Sequence, residues 1–437
     1  MGYIWKHLGF NYPYFKFYIL AIYYQHCRRR WKYYNSKWLA DTLRYAFTHS
    51  KYFRDKQRTN VINRQTSVSI LQSLPTLSKD IIKKERWNIY SNEIDISYSN
   101  WRNTGGSTGE PLRFPALATK HYMEDICMMM LYRKMGYKWG DTIVAIDGSR
   151  VSLEQRSNNV FWNIRSNLPY GKLHYSTLYL DDSTFPYYLD SINKVKPKIM
   201  RGYPSGFLSF CRYVERNQSQ LTRSVKGIYL TSENFSEMDA QLITSVFGCP
   251  VYGQYGHTEC SVFAVKEPSS TLYLCSPLYG YTEVLDNSGM HVKEGECGEI
   301  VVTGFSIAGL PFIRYRTGDM AIYGGQTKYG ETILTSLMGR TVDYIYDKNG
   351  NKVYLVGFIF GGHLSAFNVI KSWQIEQRIK GSLIVKIVKM KEYTQKDEYE
   401  ILSFFEKGNF ECNIKYVDDI ALTQRGKKKF LIQKCLP

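Results

Sequence analysis

The chain has 437 residues, which is too long for one ordinary hydrophobic core and predicts one large and one small domain. Hydrophobic residues make up 44% and charged residues 22% of the sequence, fractions that argue against extensive disorder. The formal net charge of +18 predicts attraction to nucleic acid, anionic membranes or phosphate-bearing substrates. Because no RNP-type aromatic motif, Cys/His finger or helix-turn-helix pattern accompanies the basic residues, nucleic acid is not expected as a partner.

Nine cysteines are scattered along the chain without a C-x-x-C pair or metal-ligand spacing. We interpret them as reduced thiols, and Cys260 as a small core residue. No segment approaches the ~20 continuous apolar residues that cross a bilayer, and the first residues lack a signal-peptide pattern. The sequence therefore predicts a cytoplasmic protein.

One segment near the start raises the question of membrane contact. Residues 10–24 are aromatic and aliphatic, broken by Lys16, and a basic cluster follows at residues 28–32. This pattern is typical of a segment that lies in a membrane interface, and it predicts peripheral contact at the inner face of the membrane. The alternative is a helix that packs on the body of the protein and exposes a basic face.

Helical spacing of apolar residues dominates the front of the chain, from Trp38 to Phe53 and again from near Asp80. Between Met123 and Pro250, helical runs alternate with short β-branched strands. Two such strands are predicted at residues 142–146 and 227–231. This alternation indicates a layered α/β domain.

From Ser261 to Thr335 the pattern shortens into strands separated by turns, which predicts a compact β subdomain. The strands are predicted at residues 271–275, 281–285, 298–303 and 331–334. After Met338 a hairpin at residues 347–352 and further strand and helix runs predict a separate small domain. The predicted organisation is a helical region at 1–60, a large domain at 61–338 and a C-terminal domain at 339–437.

The most informative segment is residues 103–111, which read Asn-Thr-Gly-Gly-Ser-Thr-Gly-Glu-Pro. Three glycines let backbone N–H groups approach an anion closely, and Thr104, Ser107 and Thr108 add hydroxyl donors. The loop is neither a Walker A loop nor a G-x-G-x-x-G dinucleotide turn. It predicts a phosphate-binding loop, with a flexible turn as the alternative.

Two later segments carry side chains suited to a nucleotide. Residues 232–234 are Ser-Glu-Asn, and residues 252–259 read Tyr-Gly-Gln-Tyr-Gly-His-Thr-Glu; each is predicted to follow a strand. Because α/β sheets bind ligands at the carboxyl ends of their strands, both segments are placed for binding. A tyrosine ring can stack on a purine, and a carboxylate can hold magnesium. The alternative is a strand-to-loop turn with a solvated Glu.

Residues 313–319 read Ile-Arg-Tyr-Arg-Thr-Gly-Asp, in which Asp319, beyond a tight glycine turn, suits the two hydroxyls of a ribose. Late in the chain, Gly339-Arg340 and residues 425–429, Arg-Gly-Lys-Lys-Lys, add cations. The lysine run is also typical of a solvated basic tail. Each of these segments alone says little about function.

In this order and at these separations, the five segments resemble the adenylate-forming superfamily of acyl-CoA synthetases, adenylation domains and luciferases, and within it the phenylacetate–CoA ligase branch. The resemblance covers nearly the whole chain. Residues 201–205, Arg-Gly-Tyr-Pro-Ser, and residues 255–259 resemble the capsular polysaccharide biosynthesis group, often called CapK-like. The resemblance implies the adenylate-forming ligase fold: a large layered α/β domain with a β subdomain, and a small, mobile C-terminal α+β domain.

By matching positions, the resemblance implies a site for ATP, AMP and Mg²⁺. The residues expected around the nucleotide are Thr104, Gly105, Gly106, Ser107, Thr108, Gly109, Ser232, Glu233, Asn234, Tyr255, Gly256, Asp319 and Arg340. In this set the loop at 104–109 would surround the phosphates, and residues 232–234 with Tyr255 would wall the adenine. Asp319 would bind the ribose, and Arg340 would help to hold ribose or phosphate.

Three further residues are expected to take part in catalysis. Thr258 and Glu259 would meet the α-phosphate and the magnesium ion, with Glu259 as the metal ligand, and Lys427 would enter the site for adenylation. The sequence also departs from the superfamily pattern at two positions. Glu110 stands where many relatives carry Lys, and Val342 stands at the usual polar hinge position.

The implied reaction is ATP- and Mg-dependent activation of a carboxylic acid as an acyl-adenylate, followed by transfer to an acceptor, in cell-surface polysaccharide biosynthesis. Coenzyme A is the default acceptor of the superfamily, and an amine or hydroxyl of a polysaccharide precursor is the alternative. Two other functions remain open at this point. One is an adenylyltransferase that acts on a hydroxyl, and the other is a non-catalytic nucleotide-binding scaffold at the membrane.

Overall fold

The computed structural model describes residues 13–58, 61–94, 100–103, 112–116, 122–305, 309–340, 344–355, 358, 364, 366, 369–421 and 431–435. The helices are α1 Pro13–His26, α2 Trp31–His49, α3 Lys51–Arg54, α4 Ser67–Ser73, α5 Lys79–Ile89, α6 Tyr122–Lys134, α7 Leu153–Ser157, α8 Phe185–Val195, α9 Pro204–Arg216, α10 Glu237–Phe247 and α11 Gln395–Lys407. The strands are β1 Asn100–Asn103, β2 Arg113–Ala116, β3 Ile143–Asp147, β4 Trp162–Ile164, β5 Leu173–Ser176, β6 Ile199–Gly202, β7 Gly227–Thr231, β8 Val251–Gly256, β9 Phe263–Lys266, β10 Tyr273–Cys275, β11 Gly280–Leu285, β12 Cys297–Gly304, β13 Tyr315–Gln326, β14 Thr332–Arg340, β15 Tyr344–Tyr346, β16 Lys352–Tyr354, β17 Ile370–Ile379, β18 Ser382–Lys389, β19 Glu411–Tyr416 and β20 Leu431–Gln433.

Twelve strands form one continuous sheet in the order β11-β12-β13-β14-β10-β9-β8-β7-β6-β3-β5-β4. Strands β5, β3, β6, β7 and β8 run parallel. The strands predicted at residues 142–146 and 227–231 are confirmed as β3 and β7 in this parallel half. The four strands predicted between residues 271 and 334 are confirmed as β10, β11, β12 and β14, and they continue the same sheet through the antiparallel β8–β9 pair.

Helices cover both faces of the parallel half, which explains why its strands read as continuous apolar runs. On one face, Val144 and Met200 pack against α8, α9 and α10. On the other face, Ile143 and Tyr229 pack against α6 and α1. Because parallel strands end together, the segments that follow β6, β7 and β8 meet at one edge of the sheet.

The aromatic stretch near the start forms α1, which packs on α6. Phe17 and Ala21 are buried in the core that contains α6, and Gln25 Nε2 donates to the Met130 carbonyl at 2.9 Å. This arrangement agrees with the alternative of a helix that packs on the body. Peripheral membrane contact gains no support from it and stays a prediction. No described helix is both long and apolar enough to cross a bilayer, and residues 10–12 lie outside the described part of the chain.

A buried arginine joins the front of the chain to the antiparallel half of the sheet. Arg314 pairs with Glu283 of β11 through two hydrogen bonds of 3.0 and 3.2 Å. The same guanidinium donates to the carbonyls of Gln72 and Leu74 at 3.0 and 2.8 Å. Leu77 N donates to the Arg314 carbonyl at 2.9 Å. These contacts fix the backbone immediately before β13.

The C-terminal part has a sheet of its own, in the order β19-β18-β17-β20. Ile375 and Val385 pack with Phe405 of α11 in its core. The predicted hairpin at residues 347–352 is confirmed, because β15 and β16 pair around a turn in which Gly350 N donates to the Asp347 carbonyl at 3.0 Å. The boundaries predicted for the three regions stay predictions.

We expect Arg314→Met to lower the free energy of unfolding by about 3–5 kcal/mol, because the Glu283 carboxylate would stay buried without its partner. Burial raises the pKa of Glu283, so part of the loss should be recovered at low pH, where the carboxyl takes up a proton. Urea unfolding measures both effects. Arg44→Met is the matched control: it removes an exposed ion pair with Asp41 and should cost less than about 1 kcal/mol. Equal losses in the two variants would contradict this account.

Candidate active site

The loop after β7 carries the first group of predicted site residues. Ser232 has a φ of 72°, a left-handed conformation that residues other than glycine rarely adopt and that is enriched at functional sites. Ser232 and Asn234 are exposed at the sheet edge. Their hydroxyl and amide groups are therefore accessible to a ligand.

Glu233, between these two residues, is directed towards the start of α9. Its Oε2 accepts from the Ser205 backbone N–H at 2.9 Å, and its Oε1 accepts from Ser205 Oγ at 3.1 Å. A carboxylate is stabilised at a helix N-terminus by the unpaired N–H groups and the helix dipole. The contact joins two motifs that lie 28 residues apart in sequence.

Tyr255 and Asp319 meet across the sheet. Tyr255 Oη donates to Asp319 Oδ2 at 2.8 Å, and burial together with this carboxylate raises the pKa of Tyr255 well above its usual range. Asp319 of β13 also lies opposite Arg340 of β14 in the strand register. Three of the predicted nucleotide residues are thus neighbours in the fold.

The structure corrects the local setting of both motifs. Residues 252–256 lie inside β8, whereas the sequence pattern placed them after a strand. Asp319 lies inside β13, where the register to β12 is interrupted, whereas the glycine before it predicted a tight turn. Gly318, with a φ of 78°, forms a bulge, and the sequence pattern of this bulge resembles that of a turn. The bulge is stabilised by a hydrogen bond from Gly318 N to Glu299 Oε1 at 3.0 Å.

Glu259 is a buried carboxylate held in its ionised form. Its Oε1 accepts from Tyr315 Oη at 2.9 Å, and its Oε2 lies 3.2 Å from His257 Nδ1. Burial alone would raise the pKa of Glu259, but the His257 ring and the Tyr315 hydroxyl lower it to about 2. A fixed negative charge therefore lies on the loop that follows β8.

The charge of Glu259 suits a magnesium ion that also binds substrate phosphates. The described residues contain no group of three or more His, Cys, Asp or Glu side chains arranged to hold a metal by themselves. Magnesium usually binds to one or two carboxylates and completes its shell with phosphates and water. The donor set at Glu259 fits this pattern. Thr258, next to it, is exposed.

Part of the predicted site lies outside the described residues. This applies to Thr104, Gly105, Gly106, Ser107, Thr108 and Gly109 of the phosphate loop, to Glu110, to Val342 and to Lys427. Arg340 is described by its backbone only. Gly256 is described as the last residue of β8.

Sequence reasoning missed the residues that hold the site together. Tyr315 and His257 flank Glu259, and Ser205 binds Glu233, but none of them was given a role. Tyr315 is fully buried. Its signal in the sequence was its position next to Arg316, because adjacent residues of a strand point to opposite faces and an aromatic residue beside a charged one is typical of the buried face.

Two regions of the chain match known protein families. Residues 173–309 match the AMP-binding enzyme family, and residues 345–434 match the CapK C-terminal domain. The chain is 23% identical over 384 residues to Protein CapK of Staphylococcus aureus, covering 86% of this chain and 83% of that protein. It is 24% identical over 137 residues to indoleacetate–lysine synthetase of Pseudomonas savastanoi, covering 31% of this chain and 32% of that protein.

Two groups of solved structures share the fold. 2-Hydroxyisobutyryl-CoA ligase, in the postadenylation state with 2-HIB-AMP, is similar with a TM-score of 0.64 and 16% identity, covering 91% of this chain and 88% of that chain. The acyl acid amido synthetase AtGH3.15, in complex with 2,4-DB, is similar with a TM-score of 0.59 and 15% identity, covering 89% of this chain and 87% of that chain. At these identities the likeness concerns the fold, and it confirms the predicted fold class.

The depressed pKa of Glu259 makes a prediction about acid stability. The folded-state pKa of about 2 lies below the ordinary value of 4.5, so ionised Glu259 stabilises the fold above about pH 4.5 and this contribution is lost as pH falls towards 2. We expect the stability difference between wild type and Glu259→Gln to shrink by up to about 3 kcal/mol over that range. Tyr315→Phe should remove part of the same pH dependence.

Urea unfolding at a series of pH values measures this effect. Glu154→Gln, which removes an exposed carboxylate, is the matched control and should show little pH-dependent difference from wild type. A Glu259→Gln difference that stays constant from neutral pH to pH 2 would show that Glu259 is not held ionised in the fold.

Proposed function

Because residues 173–309 match the AMP-binding enzyme family and residues 345–434 match the CapK C-terminal domain, we propose that the protein activates a carboxylic acid with ATP and transfers the acyl group to an acceptor. One observation carries this proposal. The β13 residues Tyr315 and Asp319 donate to Glu259 and accept from Tyr255 respectively, so one strand joins an ionised carboxylate to two of the predicted nucleotide residues.

In the proposed first step, a carboxylate oxygen of the acid attacks the α-phosphorus of ATP. The bond from the α-phosphorus to the bridging oxygen breaks, pyrophosphate leaves with the bonding electrons, and an acyl-adenylate remains. Negative charge builds on the phosphate oxygens, so fixed donors and cations at this edge lower the barrier. The exposed hydroxyl of Thr258 is suited to donate to the α-phosphate, and the loop at 104–109 is proposed to surround the leaving phosphates.

The nucleotide itself would lie across β7, β8 and β13. Ser232, Asn234 and the Tyr255 ring are proposed to contact the adenine, and Asp319 to accept the ribose hydroxyls. The position of Arg340 opposite Asp319 in the sheet supports a contact to ribose or phosphate. Glu233 supports this loop by binding Ser205, so its contribution to the adenine site is proposed to be indirect.

Magnesium would be held by Glu259 and the phosphates, and it would neutralise part of the phosphate charge during adenylation. Glu259 is ready for this role because its pKa of about 2 keeps it charged at neutral pH. Tyr315 orients the carboxylate through Oε1. His257 Nδ1 lies 3.2 Å from the other oxygen, Oε2, and so helps to fix the carboxylate that would hold the ion.

In the proposed second step, a nucleophile attacks the acyl carbon and AMP leaves. The similar solved structures include a ligase that forms a CoA thioester and a synthetase that forms an amide, so a thiol and an amine are both chemically compatible with the fold. We propose that the acceptor is coenzyme A or an amine or hydroxyl of a polysaccharide precursor. Similarity to Protein CapK over 86% of the chain supports a role in cell-surface polysaccharide biosynthesis.

The first test is acid-dependent exchange of labelled pyrophosphate into ATP with magnesium present. We expect Asp319→Asn to raise the KM for ATP about ten- to a hundredfold, because a hydrogen bond to a charged group contributes about 1.5–3 kcal/mol. Asp182→Asn is the matched control, because it alters an exposed carboxylate that is not among the predicted site residues. ATP binding without exchange for any acid would favour a scaffold, and a stable AMP-bearing alcohol product would favour an adenylyltransferase.

A separate test concerns Lys427, which we propose as the cation that stabilises the α-phosphate and the departing pyrophosphate. Lys427→Ala should slow adenylation about a hundredfold or more and change ATP affinity much less, by analogy with the loss of one transition-state donor. Lys428→Ala and Lys429→Ala are the matched controls. Pyrophosphate release and acyl transfer from prepared acyl-adenylate should be measured for all three variants. Loss of pyrophosphate release in Lys428→Ala or Lys429→Ala, but not in Lys427→Ala, would show that a neighbouring lysine supplies the cation instead of Lys427.

A further inference from the structure

A second cluster of polar side chains lies beside the Thr258–Glu259 loop. It contains Glu124 in the first turn of α6, Arg201 near the end of β6, and Cys260 directly after Glu259. Cys260 Sγ lies 3.5 Å from Glu124 Oε2 and 3.3 Å from the Thr258 carbonyl. This contact places Glu124 beside the loop at which we propose the α-phosphate binds.

Arg201 is incompletely satisfied. Side chains alternate along β6, so Arg201 faces α6 together with Ile199, while Met200 faces the opposite core. Its guanidinium lies 5.1 and 5.2 Å from the centres of the Tyr170 and Tyr229 rings, and its Nη1 donates to the Tyr170 carbonyl at 3.4 Å. Its Nε is buried and has no hydrogen-bond partner within the described part of the chain. Such a group requires an acceptor from a ligand or from water.

Glu124 and Arg201 act on the same two tyrosines. Burial raises the pKa of Tyr170 and of Tyr229; the Glu124 charge adds to each rise, and the Arg201 charge opposes it. The geometry agrees with these directions, because the Arg201 guanidinium contacts both tyrosine rings and Cys260, which contacts Glu124, packs in the same core as Tyr229. Tyr170 is 40% exposed, so one side of the cluster faces solvent.

Cys260 does not contribute a nucleophile to this cluster. Burial raises the pKa of its thiol to about 12, although the Arg102 guanidinium, whose Nη1 lies 3.2 Å from Sγ, opposes that rise. Cys260 therefore stays protonated at neutral pH, as the sequence analysis expected of a core residue. The cluster has the character of a binding surface with the Glu124 carboxylate as an acceptor and the Arg201 and Arg102 guanidinium groups as donors.

We infer that this cluster binds the body of the acid and that the acid carries hydroxyl groups. The inference rests on the proposed function, because it takes the acid to lie next to the α-phosphate. A hydroxyl can donate to Glu124 and can accept from Arg201, so one kind of group satisfies both. A hydrocarbon chain would leave the buried Arg201 Nε without an acceptor and would cover Glu124 with only the Cys260 thiol as a donor, at a cost of about 1–3 kcal/mol for the missing hydrogen bond. A site built on such groups rejects substrates that lack their partners far more strongly than a hydrophobic pocket does.

The experiment compares acids in matched pairs that differ only in hydroxyl groups: gluconate with hexanoate, 3-hydroxybutyrate with butyrate, and mandelate with phenylacetate. Pyrophosphate release gives kcat/KM for each acid, and the shift in unfolding temperature with ATP present reports binding without turnover. We expect the hydroxylated member of the preferred pair to exceed its partner by at least about a hundredfold in kcat/KM.

Single-residue variants test whether Arg201 and Glu124 cause the preference for hydroxylated acids. Arg201→Gln and Glu124→Gln should each lower kcat/KM for the hydroxylated acid at least about tenfold, by loss of a hydrogen bond to a charged group, and should leave the KM for ATP unchanged. Arg216→Gln and Glu154→Gln remove exposed charges and are the matched controls. Arg201→Lys keeps the positive charge and serves as a control for misfolding of the Arg201→Gln variant. It should retain more activity than Arg201→Gln.

The outcomes separate this inference from the proposed function. Release that is equal or faster with hexanoate, butyrate or phenylacetate would overturn the inference and leave acid activation intact. Arg201-dependent binding of a hydroxylated acid without pyrophosphate release would support the inference and remove the proposed function. Equal binding of both members of every pair, unaffected by the Arg201 and Glu124 variants, would overturn the inference.

Discussion

The hydrogen bond from buried Tyr315 to Glu259 is the contact on which the site depends. It joins a loop of the parallel half of the sheet to a strand of the antiparallel half, across 56 residues of sequence. A buried carboxylate is costly unless its charge is compensated. Here Tyr315 and His257 compensate it so fully that the pKa falls to about 2 despite burial. The fold therefore maintains a negative charge at the sheet edge.

Strand β13 provides this contact because its start is fixed on both sides. Arg314, immediately before it, is held by Glu283 and by the carbonyls of Gln72 and Leu74. Four residues after Tyr315, Asp319 reaches Tyr255 from a bulge in the same strand. A shift of β13 by one residue would turn Tyr315 away from Glu259, because side chains alternate between the faces of a strand. The buried ion pair thus acts on the site through the register of β13.

Sequence patterns predicted the secondary-structure elements that depend on short stretches of sequence. The strands at 142–146 and 227–231, the turn at 347–352 and the helical front are encoded by local apolar periodicity and turn residues, and they are confirmed. The resemblance to the adenylate-forming superfamily followed from motif order and agrees with the family matches at residues 173–309 and 345–434, and the similar solved structures confirm the fold class. The membrane contact predicted for residues 10–24 gained no support, because Phe17 and Ala21 are buried against α6. This packing cannot be inferred from the composition of the segment.

Long-range pairing could not be predicted in the same way. The pattern Thr-Gly-Asp at 317–319 is typical of a turn, and only the strand on either side shows that it is a bulge. Glu233 stays a predicted nucleotide residue, but the contact of its carboxylate with Ser205 depends on where α9 begins and was not predicted. Arg201 and Glu124 share a cluster because α6 packs over β6. Neither sequence segment contains a pattern that predicts this contact. Such contacts are set by the tertiary fold, so sequence reasoning missed them.

The central claim is that a carboxylate oxygen attacks the α-phosphorus. The most direct measurement uses the best acid substrate labelled with ¹⁸O in its carboxylate, together with ATP, magnesium and excess hydroxylamine to trap the acyl group, and analyses the released nucleotide by mass spectrometry. The account predicts that AMP carries one ¹⁸O atom, since the acid oxygen stays on the phosphorus when the acyl group is transferred. ADP with labelled inorganic phosphate, or AMP without label, would contradict it.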